Sequence, residues 1–168
     1  SNFTPLLVKI RQTSVRNCRG LFYICDVFRI IEVDTVSHIM NVLMDKVESV
    51  VSGADRGLLI VNDNRFLKRQ IEQYIITNNK TYKWFSGDIT VNAFFELLNG
   101  DHILVFDGLN YNKRGVNGLL YRALADPVGP SKIVFGEKET EFNGRVILFG
   151  TTVIKNPKLR ACFSIWTE

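Results

Sequence analysis

Four short runs in this chain, Gly57–Val61 (GLLIV), His102–Phe106 (HILVF), Arg145–Phe149 (RVILF) and Ala161–Trp166 (ACFSIW), are almost wholly apolar and too short to be independent helices. Runs of this kind suit strands covered on both faces, as in a parallel sheet with helices packed above and below. The segments between them carry the helical period. Val36, Ile39, Met40, Leu43, Val47 and Val50 fall three or four residues apart, which predicts a helix over Thr35–Val51 with Asp34 or Thr35 as N-cap and Gly53 beyond its end. The same period predicts helices over Arg65–Thr77, through Leu67, Ile71, Tyr74 and Ile75, over Thr90–Leu98 between Asp88 and Gly100, and over Leu119–Leu124, stopped by Pro127. Lys132–Phe135 and Thr140–Phe142 flank Gly136-Glu137-Lys138-Glu139 as a β-hairpin would. Strand and helix alternate, so the expected class is α/β, a parallel sheet with helices on both faces.

Residues 1–33 follow another pattern. LLVKI and GLFYICDVFRIIEV, rich in β-branched and aromatic residues, are separated by the polar stretch RQTSVRNCRG, and they predict a β-rich N-terminal segment ahead of an α/β domain over residues 34–168. With 168 residues, 46% of them hydrophobic, the chain can bury one sizeable core and is short for two. It opens at Ser1 without a methionine, as a piece of a longer protein would. No run approaches the roughly 20 apolar residues that cross a bilayer, so no membrane association is expected. Cys18, Cys25 and Cys162 form no CxxC pair and only two histidines accompany them, which argues for a reduced intracellular protein without a zinc site. The net charge of +4 permits a nucleic-acid partner without requiring one. Basic residues cluster at Lys9, Arg11, Arg16 and Arg19, at Arg65, Lys68 and Arg69, and at Lys155, Lys158 and Arg160.

The stretch GLLIVNDNRFLKRQ, Gly57 to Gln70, has the layout of a phosphate-binding strand, loop and helix, with Lys68 where a lysine is wanted. Glycines are missing from it. A phosphate cradle needs them because main-chain N–H groups must converge on the anion with no Cβ in the way. Here Gly57 precedes the strand, Asn62 through Arg69 fill the turn, Arg69 replaces the hydroxyl that would hold Mg²⁺, and Phe66 and Leu67 add bulk.

Four landmarks in this order resemble the AAA+ ATPase core, and more narrowly the MCM helicases and the meiotic MCM-domain proteins. LLIVNDNRFLKRQIEQYI resembles the Walker A strand and helix, and HILVFDGLN the Walker B strand. LLYRALADPVGPSKIVFGEKETEFNGRVILFGTT resembles the helix, basic hairpin and sensor-1 strand, and NPKLRACFSIW the segment that runs L-x-x-R-F-D-L-I in MCM proteins. The resemblance covers roughly residues 55–168. It implies a P-loop-type sheet in which the Walker B strand lies beside a third strand and not directly next to the Walker A strand. It also implies a nuclear role in DNA metabolism, in recombination and crossover formation, alongside other MCM-like subunits.

The departures from that pattern decide the expected activity. Lys68 holds the Walker A lysine position and Asp107 the Walker B aspartate, while Gly108 stands where the water-polarising glutamate belongs. The sensor-1 asparagine position falls near Thr152 or Val153, and the arginine-finger position at Cys162, with Arg160 displaced from it. Loss at four catalytic positions implies a pseudo-ATPase that serves as a structural or interaction part. No catalytic residue is assigned, and Lys68 and Asp107 remain as a residual site for ATP and Mg²⁺. An active or nucleotide-switched ATPase and an unrelated α/β interaction module stay as alternatives.

Other candidates follow from the hairpin and the aromatics. Lys132, Lys138 and Arg145 lie on or beside the hairpin that points at DNA in MCM proteins, but Glu137, Glu139 and Glu141 intersperse it with negative charge. Lys68 and Asp107 also have a plain structural reading, a solvent-facing helix residue and a strand-end cap. His38 and His102 have no ligand-spaced partner and read as structural. Asp101 and Asp107 face opposite ways across one strand, against a carboxylate pair for acid/base work. Trp84, Phe85, Phe94 and Phe95 could stack bases, and at their spacing read as core.

Overall fold

The computed structural model describes residues 21–168 apart from Asn79, with side chains from residue 37 onward. Contacts divide the chain into Ser1–Asp45 and Lys46–Glu168. Helix α1 (Leu21–Ser52) runs from the first unit into the second, and the second holds the sheet. Its elements are β1 (Gly57–Val61), α2 (Arg65–Thr77), β2 (Tyr82–Ser86), α3 (Val91–Leu97), β3 (Ile103–Asp107), α4 (Arg114–Leu124), β4 (Ser131–Phe135), β5 (Lys138–Phe142), β6 (Arg145–Gly150), α5 (Pro157–Arg160) and β7 (Ser164–Thr167).

Five strands form a wholly parallel sheet in the order β2-β3-β6-β1-β7, and β4 and β5 form a separate antiparallel hairpin. The apolar runs GLLIV, ILVFD and RVILFG provide the three central strands, as their double-sided burial demands. Leu59, Leu104, Phe106, Val146 and Leu148 pack in one buried cluster with Phe94 and Leu98, with Val116, Leu120 and Leu124 of α4, and with Ile133 and Phe142 of the hairpin. Their strand neighbours Leu58, Ile60, Val105, Ile147 and Phe149 are equally buried and, by the pleat, face the other side. On that side lies α2, whose Lys68 sits over the Phe149 ring and whose Glu72 accepts a hydrogen bond from the Tyr82 hydroxyl of β2. The expected α/β class, with helices on both faces of a parallel sheet, holds.

One buried cation ties the layers together. Arg56, immediately before β1 and only 8% exposed, donates from Nη1 to the Asp126 carbonyl at 2.8 Å and Ser131 Oγ at 3.0 Å, and from Nη2 to the Phe142 carbonyl at 3.1 Å. Nε and Nη2 both reach the Gly144 carbonyl at 3.4 Å. A single guanidinium thereby joins the start of the central strand to the end of α4 and to both strands of the hairpin.

Four expectations need correction. The predicted β-rich segment over residues 1–33 falls partly outside the described residues, and from Leu21 onward it is helical, continuous with the helix expected from Thr35. No glycine or proline interrupts Leu21 to Ser52, and strand propensity of order 1 kcal/mol does not prevent a helix there. Helix α4 begins at Arg114, well before Leu119, because Val116, Leu119, Leu120, Ala123 and Leu124 bury one stripe and override the loop-like Gly115 and Gly118. A Cβ on Gly115 would lie 2.7 Å from Val91 Cγ2, so the glycine lets α4 approach closely. Tyr82–Ser86 is an edge strand that no apolar run announced. The last expected strand, Ala161–Trp166, is shorter than expected: Ala161 caps the C-terminus of α5, which Asn156 caps at its start with Pro157 in its first turn, and β7 begins only at Ser164.

Candidate functional site

The two residues proposed for a residual site meet. Lys68 Nζ lies 2.9 Å from Asp107 Oδ1 and 3.0 Å from Asp63 Oδ1, with the Lys68 side chain 15% exposed and that of Asp107 25%. The ammonium also sits 5.9 Å from the centre of the Phe149 ring. Burial works against its charge, but the hydrogen bonds to Asp107 and Asp63, and then their charges, outweigh it and hold the Lys68 pKa above the ordinary lysine value. The plain reading of Lys68 as a solvent-facing helix residue is corrected by this pairing.

Topology explains why this location matters. β1 is followed by α2, which leads to β2 at one edge, whereas its neighbour β6 is followed by α5, which leads to β7 at the other. Chain departing in opposite directions from adjacent strands opens a crevice at their C-terminal ends, the usual ligand position in open α/β sheets. Lys68 spans that crevice from α2 across Phe149 of β6 to Asp107 of β3.

The turn beneath it is short. Helix α2 starts at Arg65, so Asn62, Asp63 and Asn64 alone connect strand to helix, and Lys68 closes the first helical turn. Asn62 Oδ1 accepts from Asn64 N at 2.6 Å, Asn64 Oδ1 accepts from Phe66 N at 2.8 Å, and Lys68 N donates to the Asn64 carbonyl at 3.3 Å. Asx side chains thus occupy donors that a phosphate cradle would turn toward its anion. Asn62 Nδ2 donates to Glu168 Oε2 at 2.6 Å. The expected obstruction by bulky side chains takes a different form, because Leu67 is buried inward and Phe66 is 53% exposed. Arg69 is exposed. A turn of this length and bonding does not fit a wrapped triphosphate.

The rest of the rim is equally committed. Gly108 has φ of +93°, and its N–H donates to the Phe149 carbonyl at 3.2 Å. Gly87, with φ of +88°, donates to the Asp107 carbonyl at 2.7 Å. Asp88 accepts from Asn110 N at 3.0 Å and pairs with Lys113 at 3.3 Å, and the Asn110 hydrogen bond is the chief reason its pKa is lowered. Where the resemblance placed sensor 1, the Tyr111 hydroxyl donates to the Thr152 carbonyl, and Asn112 Nδ2 donates to the Val153 carbonyl at 3.0 Å. Main chain is offered there, with Thr152 and Val153 exposed.

The three residues expected to face DNA are not gathered. Lys132 is exposed on β4, paired in register with Glu141. Lys138 lies on the opposite side of the hairpin and pairs with Glu96 of α3 at 2.8 Å. Arg145 begins β6 with its guanidinium against Gly53, and its buried Nε has no hydrogen-bond partner. Among the described residues no group of three or more His, Cys, Asp and Glu is arranged for a metal ion, and no helix is long and apolar enough to cross a membrane.

The remaining candidates fall as follows. Trp84 stacks on Phe149, Phe85 on Phe106, Phe94 meets Phe106 edge-on, and Phe95 packs on Phe135, which bears out the core reading. His38 and Asp101 are exposed, and His102 has a buried Nδ1 without a partner. Arg160 ends α5 and Cys162 lies in the turn before β7, at the end of that strand away from Lys68, with Cys162 a free, half-buried thiol. Cys18 and Cys25 are outside the described side chains. Sequence reasoning passed over Arg56 and Asp63. A charged residue directly before a fully apolar strand was the available signal for Arg56. Neither any protein-family model nor any curated protein matches the chain.

Proposed function

We propose that this α/β domain is a catalytically degenerate AAA+-like domain, related to the MCM helicases and the meiotic MCM-domain proteins, that serves as a structural or interaction subunit in DNA metabolism. The strand order supports the kinship. The Walker B-like β3 lies beside β6, and β6 separates it from the Walker A-like β1, as the resemblance requires and a chance motif match does not.

The observation that carries the loss of catalysis is the Lys68–Asp107 ion pair. In a working site the lysine faces the β- and γ-phosphates and the aspartate helps hold Mg²⁺. Here each neutralises the other, above a three-residue turn in which Asx side chains already bond Asn64 N and Phe66 N. With Gly108 in place of the base, no residue at the usual position can polarise a water. A protomer of this kind contributes surfaces, not turnover, among MCM-like subunits in the nucleus. On the outward face of the hairpin Lys132 is accompanied by Glu139 and Glu141, with Glu137 at the turn, which favours a protein partner over DNA there.

Isothermal titration with ATP and Mg²⁺ tests this reading, and no saturable binding is expected. Micromolar binding that weakens in Lys68→Ala would instead establish a nucleotide-switched site, the reading that the convergence of Lys68 and Asp107 at the crevice favours second. For DNA, fluorescence anisotropy at two salt concentrations is the check. Tight, salt-sensitive binding lost in Lys132→Glu would restore the hairpin as a phosphate-contacting element.

A further inference from the structure

At the edge of the sheet opposite Lys68, where the strands begin, a cavity of about 410 Å³ opens between the α1–β1 loop, the end of α4 and α5. Asp55, Arg56, Tyr121, Leu124, Lys158 and Cys162 are among the residues that line it. Two of its three charged lining residues are cationic. The single lining carboxylate, Asp55, accepts a hydrogen bond from Ser49 Oγ at 2.8 Å.

The charge balance beside this open cavity turns on one buried cation. Arg56 is over nine-tenths buried, yet the acceptors of its N–H groups are four uncharged ones, the carbonyls of Asp126, Phe142 and Gly144 and the hydroxyl of Ser131. Its hydrogen bonds are satisfied while its charge is not cancelled, and an uncancelled buried cation is costly. The Asp126 carboxylate offsets part of it from a distance, and Arg145 adds a second positive charge nearby. Among the described residues, Arg56, Arg145, Lys155, Lys158 and Arg160 form no ion pair, while Lys155, Lys158 and Arg160 are exposed on or beside α5. Positive potential therefore collects in a recess whose walls include an aromatic ring and aliphatic side chains.

We propose that this cavity binds a small organic anion, its phosphate or carboxylate held by Lys158 in the field of Arg56 and its apolar body against Tyr121 and Leu124. The volume falls within the range of small-molecule pockets and suits a ligand no larger than a mononucleotide. The site is independent of Lys68 and Asp107, which stand at the other ends of the strands, so it does not depend on the function proposed above.

Cys162 reports on occupancy because the residue lines the same cavity and its thiol lies 3.5 Å from the main-chain carbonyl of Lys158, another lining residue. The experiment titrates the full chain with phenyl phosphate and with benzoate by calorimetry, and follows iodoacetamide alkylation of Cys162 by peptide mass spectrometry. Alkaline pH is used because burial raises the Cys162 pKa. Phenol, inorganic phosphate, and chloride at equal ionic strength are the controls. At least one organic anion is expected to bind saturably, and at ten times its Kd to slow alkylation about tenfold, as the free fraction falls. Lys158→Gln is expected to weaken binding about tenfold or more. The stronger of the two anions identifies the preferred head group. Absence of binding above the chloride control overturns the proposal. So does binding that leaves Cys162 alkylation unchanged, affinity equal to that of inorganic phosphate, or wild-type affinity in Lys158→Gln.

Discussion

Lys68, in the first turn of α2, reaches over the ring of Phe149 to meet Asp107 at the end of β3, 2.9 Å away. The contact spans the crevice between diverging connections, where an open α/β sheet ordinarily takes its ligand. Asp63, at 3.0 Å, adds a second carboxylate to the same ammonium. A residue pair that would divide its work between phosphate and metal is here joined as a latch between a helix and a strand, and its effect is expected in stability.

A double-mutant cycle measures the latch. Both side chains are mostly buried, so the pair exceeds the surface value, and the coupling between Lys68→Met and Asp107→Asn is expected at about 1–2 kcal/mol. Lys68→Met leaves Asp107 without its cation and Asp107→Asn leaves Lys68 with Asp63 alone, so the two single costs should sum to more than the cost of the double change. Urea unfolding of the four proteins checks this. Coupling indistinguishable from zero would make the contact incidental.

The sign of the pH dependence follows from the same contact. The folded-state pKa of Lys68 is raised, so its contribution is complete below the unfolded value of about 10.4 and disappears as pH rises through the folded value. The stability difference between the wild type and Lys68→Met is expected to be flat from neutral pH to about 10 and to shrink above it. Asp88 acts in the opposite direction, because its pKa is lowered. Its contribution is present above about 3.9 and is lost as pH falls through the folded value. Denaturant midpoints across pH, compared with Lys68→Met and Asp88→Asn, separate the two windows.

How far the fold was legible depends on what each signal measures. Apolar runs report double-sided burial, so the central strands β1, β3 and β6 were readable, and the period of Leu67, Ile71 and Ile75 gave α2 its bounds. Edge strand β2 is half-buried and gives no such run. Leu21 to Val33 gives a strand-like pattern and folds as helix because β-branched and aromatic residues suit either structure, and the continuity of the chain with the next helix decides. Lys68 and Asp107 were identifiable from motif position, but their direct pairing was not, since it depends on the reach of Lys68 across Phe149 of β6 to the end of β3, which no local pattern displays. Arg56 depends on acceptors contributed from α4, the hairpin and the turn before β6, which no local pattern brings together.

Arg56 is expected to be the most expensive single polar residue to remove. Arg56→Met leaves the carbonyls of Asp126, Phe142 and Gly144 and the Ser131 hydroxyl without their donor, and each buried unsatisfied group costs about 1–3 kcal/mol less whatever water recovers. A net loss of at least about 3 kcal/mol is expected, because one change removes several hydrogen bonds at once. Arg56→Lys keeps the charge but not the fork, and should recover only a minor part. Chemical denaturation of both variants gives the comparison, and equal stability of Arg56→Lys and wild type would mean that charge alone matters there.

On the function proposed above, Gly108 stands where a catalytic base would belong, and it offers the sharpest test of whether one can be introduced. Its φ of +93° lies in the left-handed half of backbone space, where a side chain is strained even though the nearest atom to an added Cβ, Gly87 Cα, is a comfortable 3.5 Å away. The backbone there is fixed by the hydrogen bonds of Gly108 N to Phe149 and of Gly87 N to Asp107, so it cannot rotate to accommodate glutamate without loosening the end of β3. Gly108→Glu is therefore expected to destabilise the domain by about 1–3 kcal/mol. On the function proposed above it is also expected to yield no ATP hydrolysis, because the carboxylate would stand above a turn whose Asx side chains already bond Asn64 N and Phe66 N. Thermal denaturation and a phosphate-release assay on the variant check both halves. Hydrolysis restored by this single change would mean that the turn at Asn62–Asn64 opens, and that the Lys68–Asp107 pair is a resting contact which nucleotide displaces.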